Sequence, residues 1–209
     1  MPVLVKICGI TSVEDGLAAA EAGADAVGFV FCEKSPRFVH VETAAAISRE
    51  LPGHLIRVGV FVDAPVGDVM RAASECALQL LQFHGSETPA YCQQFGLMHM
   101  KAFRIHGPET LAQLDDYPSD AWLLDAWSPA ALGGTGATFN WDLAVEAGAK
   151  GRPVFLAGGL TPENVAEAVR KVRPFGVDVS SGVEASPGKK DHARVRAFVS
   201  AVREASRES

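Results

Sequence analysis

The sequence lacks the features that mark several large classes of protein. No apolar run approaches the ~18 residues that a membrane-spanning helix needs, so no membrane partner is expected. Lysine and arginine total 19 against 25 acidic residues, and the net charge of −6 argues against a nucleic-acid partner. The first residues carry no basic cluster, which argues against a secretory signal.

Cysteine is scarce and scattered. The four cysteines, Cys8, Cys32, Cys76 and Cys92, show no CxxC spacing, and the histidines show no spacing typical of metal ligands. The pattern argues against a disulfide framework or a metal site. It fits the reducing conditions of the cytoplasm.

The chain also lacks a linker, a low-complexity tract or a shift in composition, so we expect a single domain over residues 1–209. Short β-rich segments alternate with helical patterns throughout. This alternation favours a parallel sheet covered by helices, and eight repeats predict a closed (β/α)₈ barrel of the phosphate-binding type. The rival is an open doubly wound sheet, which more often has five or six strands. The predicted strands are Leu4–Cys8, Ala26–Phe31, Ile56–Val62, Leu78–His84, His99–Ile105, Ala121–Ala126, Pro153–Ala157 and Gly176–Val179.

Apolar stripes with i, i+3, i+4, i+7 spacing predict helices after three of these strands. A cap followed by proline, Thr161-Pro162, predicts the start of one of them. The long irregular segment Trp127–Asn140 is interpreted as a lid over a ligand, with a plain surface loop as the alternative. The stripes are Val66, Val69, Met70 and Ala73; Val165, Ala168, Val169 and Val172; and Val195, Phe198, Val199 and Val202.

Two glycine-rich turns follow the last two strands, and each leads into a helical pattern. They contain Gly158 and Gly159, and Ser181 and Gly182. Loops at these places in a barrel commonly bind phosphate, since glycine lets backbone N–H groups approach the ligand. The turns predict a phosphorylated small-molecule substrate.

Further candidates stand at the carboxyl ends of strands, where barrels place their chemistry. Cys8 precedes a predicted helix start, and Lys6 on the same strand face is expected to lower its pKa, although an inert buried cysteine is the alternative. Asp125 could serve as an acid or only as a cap or salt-bridge partner. Arg37 could clamp a carboxylate with two hydrogen bonds or be a solvated loop residue, and His84 could orient a ligand or line the rim.

From Lys6 to about Phe198 the chain resembles the phosphoribosylanthranilate isomerase family of tryptophan biosynthesis. The order and spacing of several motifs carry this resemblance. They are Lys6-Ile7-Cys8-Gly9, Gly28-Phe29-Val30-Phe31, Ser35-Pro36-Arg37, Leu81-Gln82-Phe83-His84-Gly85, Gly133-Gly134-Thr135-Gly136, Leu156-Ala157-Gly158-Gly159-Leu160 and Gly176-Val177-Asp178-Val179-Ser180-Ser181-Gly182-Val183-Glu184.

The resemblance implies an Amadori rearrangement of an aminoaldose to an aminoketose without a cofactor. Cys8 would be the general base and Asp125 the general acid, while Arg37 would hold the anthranilate carboxylate. The turns at Gly158 and Gly182 would hold the phosphate. We expect a monomer or a homodimer.

Three alternatives remain. A related isomerase of histidine biosynthesis, or an enzyme that accepts both substrates, would resemble this chain but uses an aspartate where Cys8 stands. A barrel lyase such as indole-glycerol-phosphate synthase relies on catalytic lysines. A non-catalytic phosphosugar-binding module would need neither Cys8 nor Asp125.

Overall fold

Eight parallel strands close into a barrel in the computed structural model, which describes residues 2–105, 107–126 and 141–208. Each strand pairs with the next along the chain, and β8 pairs with β1 to complete the ring. The predicted barrel is therefore confirmed, and the open sheet was the wrong alternative. The strands are β1 Leu4–Cys8, β2 Ala26–Val30, β3 Ile56–Phe61, β4 Leu80–Phe83, β5 Met98–Ile105, β6 Ala121–Ala126, β7 Val154–Ala157 and β8 Gly176–Val179.

Helices lie between successive strands and after β8. In the described part of the chain, none is long and apolar enough to cross a membrane. A 3₁₀ turn, Ser181–Val183, and a short antiparallel hairpin of β9 (Glu184–Ser186) and β10 (Lys189–Lys190) precede the last helix. The helices are α1 Val13–Glu21, α2 Val41–Glu50, α3 Val66–Glu75, α4 Pro89–Gln93, α5 Pro108–Leu114, α6 Trp141–Gly148, α7 Val165–Val172 and α8 His192–Arg207.

Some local predictions were wrong. The sequence predicted that the turn Ser180-Ser181-Gly182 leads into a helix, and the structure inserts the 3₁₀ turn and the hairpin before that helix, α8. Helix α7 begins later than Thr161-Pro162 predicted, because Thr161 N–H donates to the Asn164 side chain at 2.8 Å and builds a turn first. The stripe on α3 is only half buried, since Val66 and Met70 are exposed.

Strand alternation separates two cores. One face of each strand packs against the helices, and the other fills the barrel, where Val58, Met100, Leu123 and Phe155 are buried together. Side chains on this inner face continue to the carboxyl ends of the strands. Asp125, two residues after Leu123, therefore points to the inner side of the barrel mouth.

Candidate active site

Cys8 is the last residue of β1, on the inner face of the barrel, and its side chain is buried. Its neighbour across the β1–β2 ladder is Gly28. A Cβ at Gly28 would lie 2.8 Å from Cys8 Sγ and 3.1 Å from Lys6 Nζ. The missing side chain at Gly28 thus makes the space in which the thiol and the ammonium group lie side by side.

Two buried lysines act on this thiol, and each is paired with an acid. Lys6 Nζ donates to Asp178 Oδ1 at 2.8 Å, and Lys190 Nζ donates to Glu184 Oε1 at 2.9 Å. Both lysine side chains are fully buried, so their charges act in a medium that screens them weakly. Sequence reasoning anticipated Lys6, but nothing in the sequence pattern indicated that the hairpin would bring Lys190 to the thiol.

The net pKa shift of Cys8 is opposite to the expected one. Burial raises the pKa of the thiol because it disfavours the thiolate, while the nearby Lys6 ammonium acts to lower it. Burial acts to lower the pKa of Lys6, yet Asp178 and Cys8 raise it above its ordinary value. Lys6 therefore stays charged beside the thiol, even though burial has the larger effect on the pKa of the thiol.

Asp125 lies on β6, separated from β1 by β7 and β8 around the ring. One of its carboxylate oxygens is 3.3 Å from His84 Nε2. The other ring nitrogen of His84, Nδ1, is 3.1 Å from the side-chain amide of Gln82, which is buried in the barrel. If the Gln82 amide donates to Nδ1, a neutral His84 carries its proton on Nε2, the nitrogen that faces Asp125. The structure thus brings His84 to Asp125.

Arg37 follows β2 and is half-buried beside the end of β1. A Cβ at Gly9 would lie 2.9 Å from Arg37 Cδ, so the arginine stem passes directly over that glycine. The guanidinium group donates from Nε and Nη2 to the two carboxylate oxygens of Glu184, at 2.8 and 2.7 Å. This acidic partner from β9 was not predicted from the sequence.

The two glycine turns lie at the carboxyl ends of β7 and β8. Gly158 and Gly159 have φ angles of +81° and +66°, a region that side chains rarely adopt. A Cβ at Gly182 would lie 1.9 Å from the carbonyl oxygen of Leu160, so only glycine fits. The β7 turn therefore packs against the turn that contains Ser181, and the two loops form one surface.

Other sequence candidates have different surroundings. Cys76 and Cys92 are buried, and burial raises the pKa of each thiol to about 11. Cys32 is partly exposed in a loop. The segment Trp127–Asn140, interpreted as a lid, lies outside the described residues. Over residues 2–105, 107–126 and 141–208, no group of three or more His, Cys, Asp or Glu side chains could hold a metal ion.

The chain matches a family of known proteins over almost its whole length. The model of the N-(5'-phosphoribosyl)anthranilate (PRA) isomerase family matches residues 5–201. A relative named N-(5'-phosphoribosyl)anthranilate isomerase from Geobacter sp. (strain M21) is 60% identical over 195 residues, covering 93% of this chain and 95% of the relative. Another of that name, from Pelobacter propionicus, is 52% identical over 207 residues and covers 99% of both chains.

Solved structures agree with the sequence matches. Phosphoribosyl anthranilate isomerase from Thermotoga maritima is 42% identical with a TM-score of 0.90, and the match covers 97% of this chain and 99% of that one. A structure of phosphoribosyl anthranilate isomerase in complex with reduced 1-(o-carboxyphenylamino)-1-deoxyribulose 5-phosphate gives a TM-score of 0.88 at 41% identity, with the same coverage.

Proposed function

The chain belongs to the N-(5'-phosphoribosyl)anthranilate isomerase family, and we propose that it performs this isomerisation in tryptophan biosynthesis with Cys8 and Asp125 as its two proton-transfer groups. The observation that carries the assignment is the family match over residues 5–201. The geometry supports the two roles, because β1 and β6 each present one of these side chains to the barrel mouth. The enzyme is an aldose–ketose isomerase, and its substrate is a small molecule.

The rearrangement needs one acid and one base on opposite sides of the sugar. The protonated carboxyl of Asp125 gives its proton to the furanose ring oxygen, the C1′–O bond breaks, and the nitrogen lone pair forms a C1′=N iminium. The Cys8 thiolate then removes the proton from C2′, and the electrons of that C–H bond form the enolamine C=C bond while the iminium nitrogen becomes neutral. Tautomerisation of the enolamine, with a proton returning to C1′, gives the aminoketose.

Cys8 suits the base role because of its neighbours. Lys6 at the thiol stabilises the negative charge that the thiolate carries, and the fixed position of Lys6 on the same strand avoids reorganisation of solvent. Burial keeps the thiolate poorly hydrated, which makes it a stronger base toward a carbon-bound proton. A raised pKa therefore lowers the thiolate fraction but increases its basicity.

His84 supports the acid. Its Nε2 is 3.3 Å from Asp125, so it can hold the carboxyl group in one orientation and hydrogen-bond to the carboxylate after the proton has left. Gln82 restrains the imidazole from the opposite side. We assign His84 to the binding site at the point where the sugar meets the acid.

Substrate binding uses the rest of the mouth. The turns at Gly158, Gly159, Ser181 and Gly182 form one surface whose backbone N–H groups can approach the phosphate closely. Arg37, beside Cys8, is assigned to the anthranilate carboxylate. With its phosphate at the glycine turns and its carboxylate at Arg37, the substrate would place its sugar between Cys8 and Asp125.

The test is turnover of phosphoribosylanthranilate, followed by its fluorescence, with the histidine-pathway aminoaldose measured in parallel. Each proton-transfer group commonly contributes about 10²–10⁴-fold, so Cys8→Ala and Asp125→Ala should each lower kcat by that order. Thermal unfolding of both variants should remain cooperative. Binding of the substrate without turnover by the native chain would instead identify a phosphosugar-binding module.

Near-native turnover by either variant would remove that residue from the mechanism. Comparable turnover of both aminoaldoses would identify a dual-substrate enzyme. We further propose a cytoplasmic location, supported by the four free cysteines, and a monomer or homodimer. One structural relative, from Thermotoga maritima, is described as dimeric, with monomers generated from it.

A further inference from the structure

Glu184 already occupies the edge of the Arg37 guanidinium group that binds carboxylates in a bidentate way. Its Nε and Nη2 donate to both oxygens of Glu184, in the geometry by which an arginine binds a carboxylate with two hydrogen bonds. A ligand that bound Arg37 in this way would have to displace Glu184. The first question is therefore whether Glu184 can leave.

Glu184 is held from several sides and has little access to water. Its side chain is 4% exposed, and besides Arg37 it accepts a hydrogen bond from Lys190 Nζ at 2.9 Å. Lys190 is itself fully buried and also donates to the carbonyl oxygen of Ser180 at 3.3 Å, while the Gly188 N–H donates to Glu184 at 3.4 Å, so moving the glutamate would break a buried network. Breaking a buried pair in this way is strongly unfavourable. Glu184 is therefore a fixed part of the site and not a stand-in for the substrate.

Arg37 keeps one free donor group under these conditions. In the described part of the chain no hydrogen bond takes its Nη1. The stem of Arg37 passes over Gly9, the neighbour of Cys8, so the group stands at the β1 side of the mouth. This side lies across the ring from Asp125 and is the side to which the proposed function assigns the anthranilate carboxylate.

We propose that Glu184 is a positioning residue that holds Arg37 in one orientation, with the Nη1 end directed to the aromatic carboxylate of the substrate. This inference rests on the proposed role of Arg37. Recognition is then by one end of the guanidinium group, and Glu184 determines how well the enzyme distinguishes a carboxylate-bearing substrate from a sugar phosphate without one. The glutamate never touches the substrate.

Glu184→Gln isolates this role because it keeps the size of the side chain. The glutamine amide has only one acceptor oxygen, and its NH₂ group cannot accept a hydrogen bond from an arginine N–H. The bidentate pair is therefore lost, and Arg37 can rotate. A hydrogen bond to a charged group is worth about 10-fold to 100-fold in binding. We expect KM for phosphoribosylanthranilate to rise by about tenfold or more, and kcat to change less than KM.

The experiment compares two ligands in four proteins. The ligands are phosphoribosylanthranilate, measured by KM, and ribulose 5-phosphate, which lacks the aromatic carboxylate, measured as a competitive inhibitor. The proteins are the native chain, Glu184→Gln, Arg37→Gln and the control Glu75→Gln, which removes the carboxylate of an exposed pair with Arg71. Both site variants should weaken the first ligand and leave the inhibition constant of the second within about twofold. The control should match the native chain.

The results distinguish a failure of the proposed role of Arg37 from a failure of the inference about Glu184. An unchanged KM in Arg37→Gln would overturn the proposed role of Arg37 and the inference with it. A raised KM in Arg37→Gln with an unchanged KM in Glu184→Gln would overturn the inference alone, as would an equal loss of both ligands in Glu184→Gln. If Glu184→Gln fails to fold, Glu184→Asp is measured instead. Aspartate keeps the negative charge but is shorter by one methylene group. It should raise KM for phosphoribosylanthranilate by a smaller factor and leave the inhibition constant of ribulose 5-phosphate unchanged.

Discussion

Gly28 gives a sharp test of the geometry around Cys8. Replacing it by alanine adds one methyl group whose carbon would lie 2.8 Å from Cys8 Sγ and 3.1 Å from Lys6 Nζ. Both distances are shorter than ordinary contacts. The sulfur is the end of a short side chain, so it can rotate away without moving the strand. The substitution therefore displaces the thiol and leaves the barrel closed.

The size of the effect follows from this displacement. Overpacking a dense core costs about 1–3 kcal/mol, which a folded domain of this size tolerates. A misplacement of about 1 Å at a reacting group can cost on the order of 10²-fold in rate. We expect Gly28→Ala to lower kcat by about 10²-fold. KM should change by only a few fold, because Gly28 is on the opposite side of Cys8 from the phosphate turns.

The assay pairs turnover with unfolding in urea, and Gly67→Ala is the matched control. A Cβ at Gly67, in the first turn of α3, meets nothing within 4 Å. The control should leave turnover unchanged and raise the free energy of unfolding by about 0.4–1 kcal/mol, since alanine restricts the unfolded chain more than glycine does. A kcat for Gly28→Ala within threefold of the native value would refute the reasoning. So would a loss of activity that tracks unfolding alone.

Two further predictions concern buried charge. Lys101→Met should lower the free energy of unfolding by about 3–5 kcal/mol in urea titrations, because Lys101 Nζ is 2.8 Å from the buried Glu87 carboxylate, which would lose its cation. A change below about 1 kcal/mol would contradict this. The double variant Lys101→Met, Glu87→Gln should recover part of the lost stability, since it removes the unpaired charge. The second prediction is that alkylation of Cys8 by iodoacetamide, followed peptide by peptide by mass spectrometry, should have a midpoint above the ordinary thiol value. Burial raises its pKa, and only the thiolate reacts, so the rate increases with pH; a midpoint below that value would contradict the structure.

Much of the architecture could be predicted from the sequence because it depends on local patterns. Strand alternation and helical apolar stripes are visible over short stretches of sequence. A closed parallel barrel then places the carboxyl end of every strand at the same mouth. This is why the sequence predicts Cys8, His84 and Asp125 as residues of the mouth. Their roles came from the motif resemblance, since position alone left an inert cysteine or a capping aspartate as equal alternatives.

Other features depend on segments that are distant in the chain. The hairpin after β8 has only a few paired residues, too short for periodicity to indicate it. It carries Glu184 to Arg37, 147 positions earlier, and Lys190 to Ser180 at the carboxyl end of β8. The solvent-facing side of Val66 and Met70 on α3 likewise depends on how that helix lies against the barrel.

The order of strands and helices, and with it the set of side chains at the barrel mouth, could be read from the amino-acid pattern because both follow from alternation along the backbone. Which charges meet at the mouth depends on the folded barrel. Folding sets whether burial or the Lys6 ammonium has the larger effect on the pKa of the Cys8 thiol, and which carboxylate pairs with Arg37. Solvation and pairing depend on distances between atoms from opposite ends of the chain, and those distances exist only once the ring has closed.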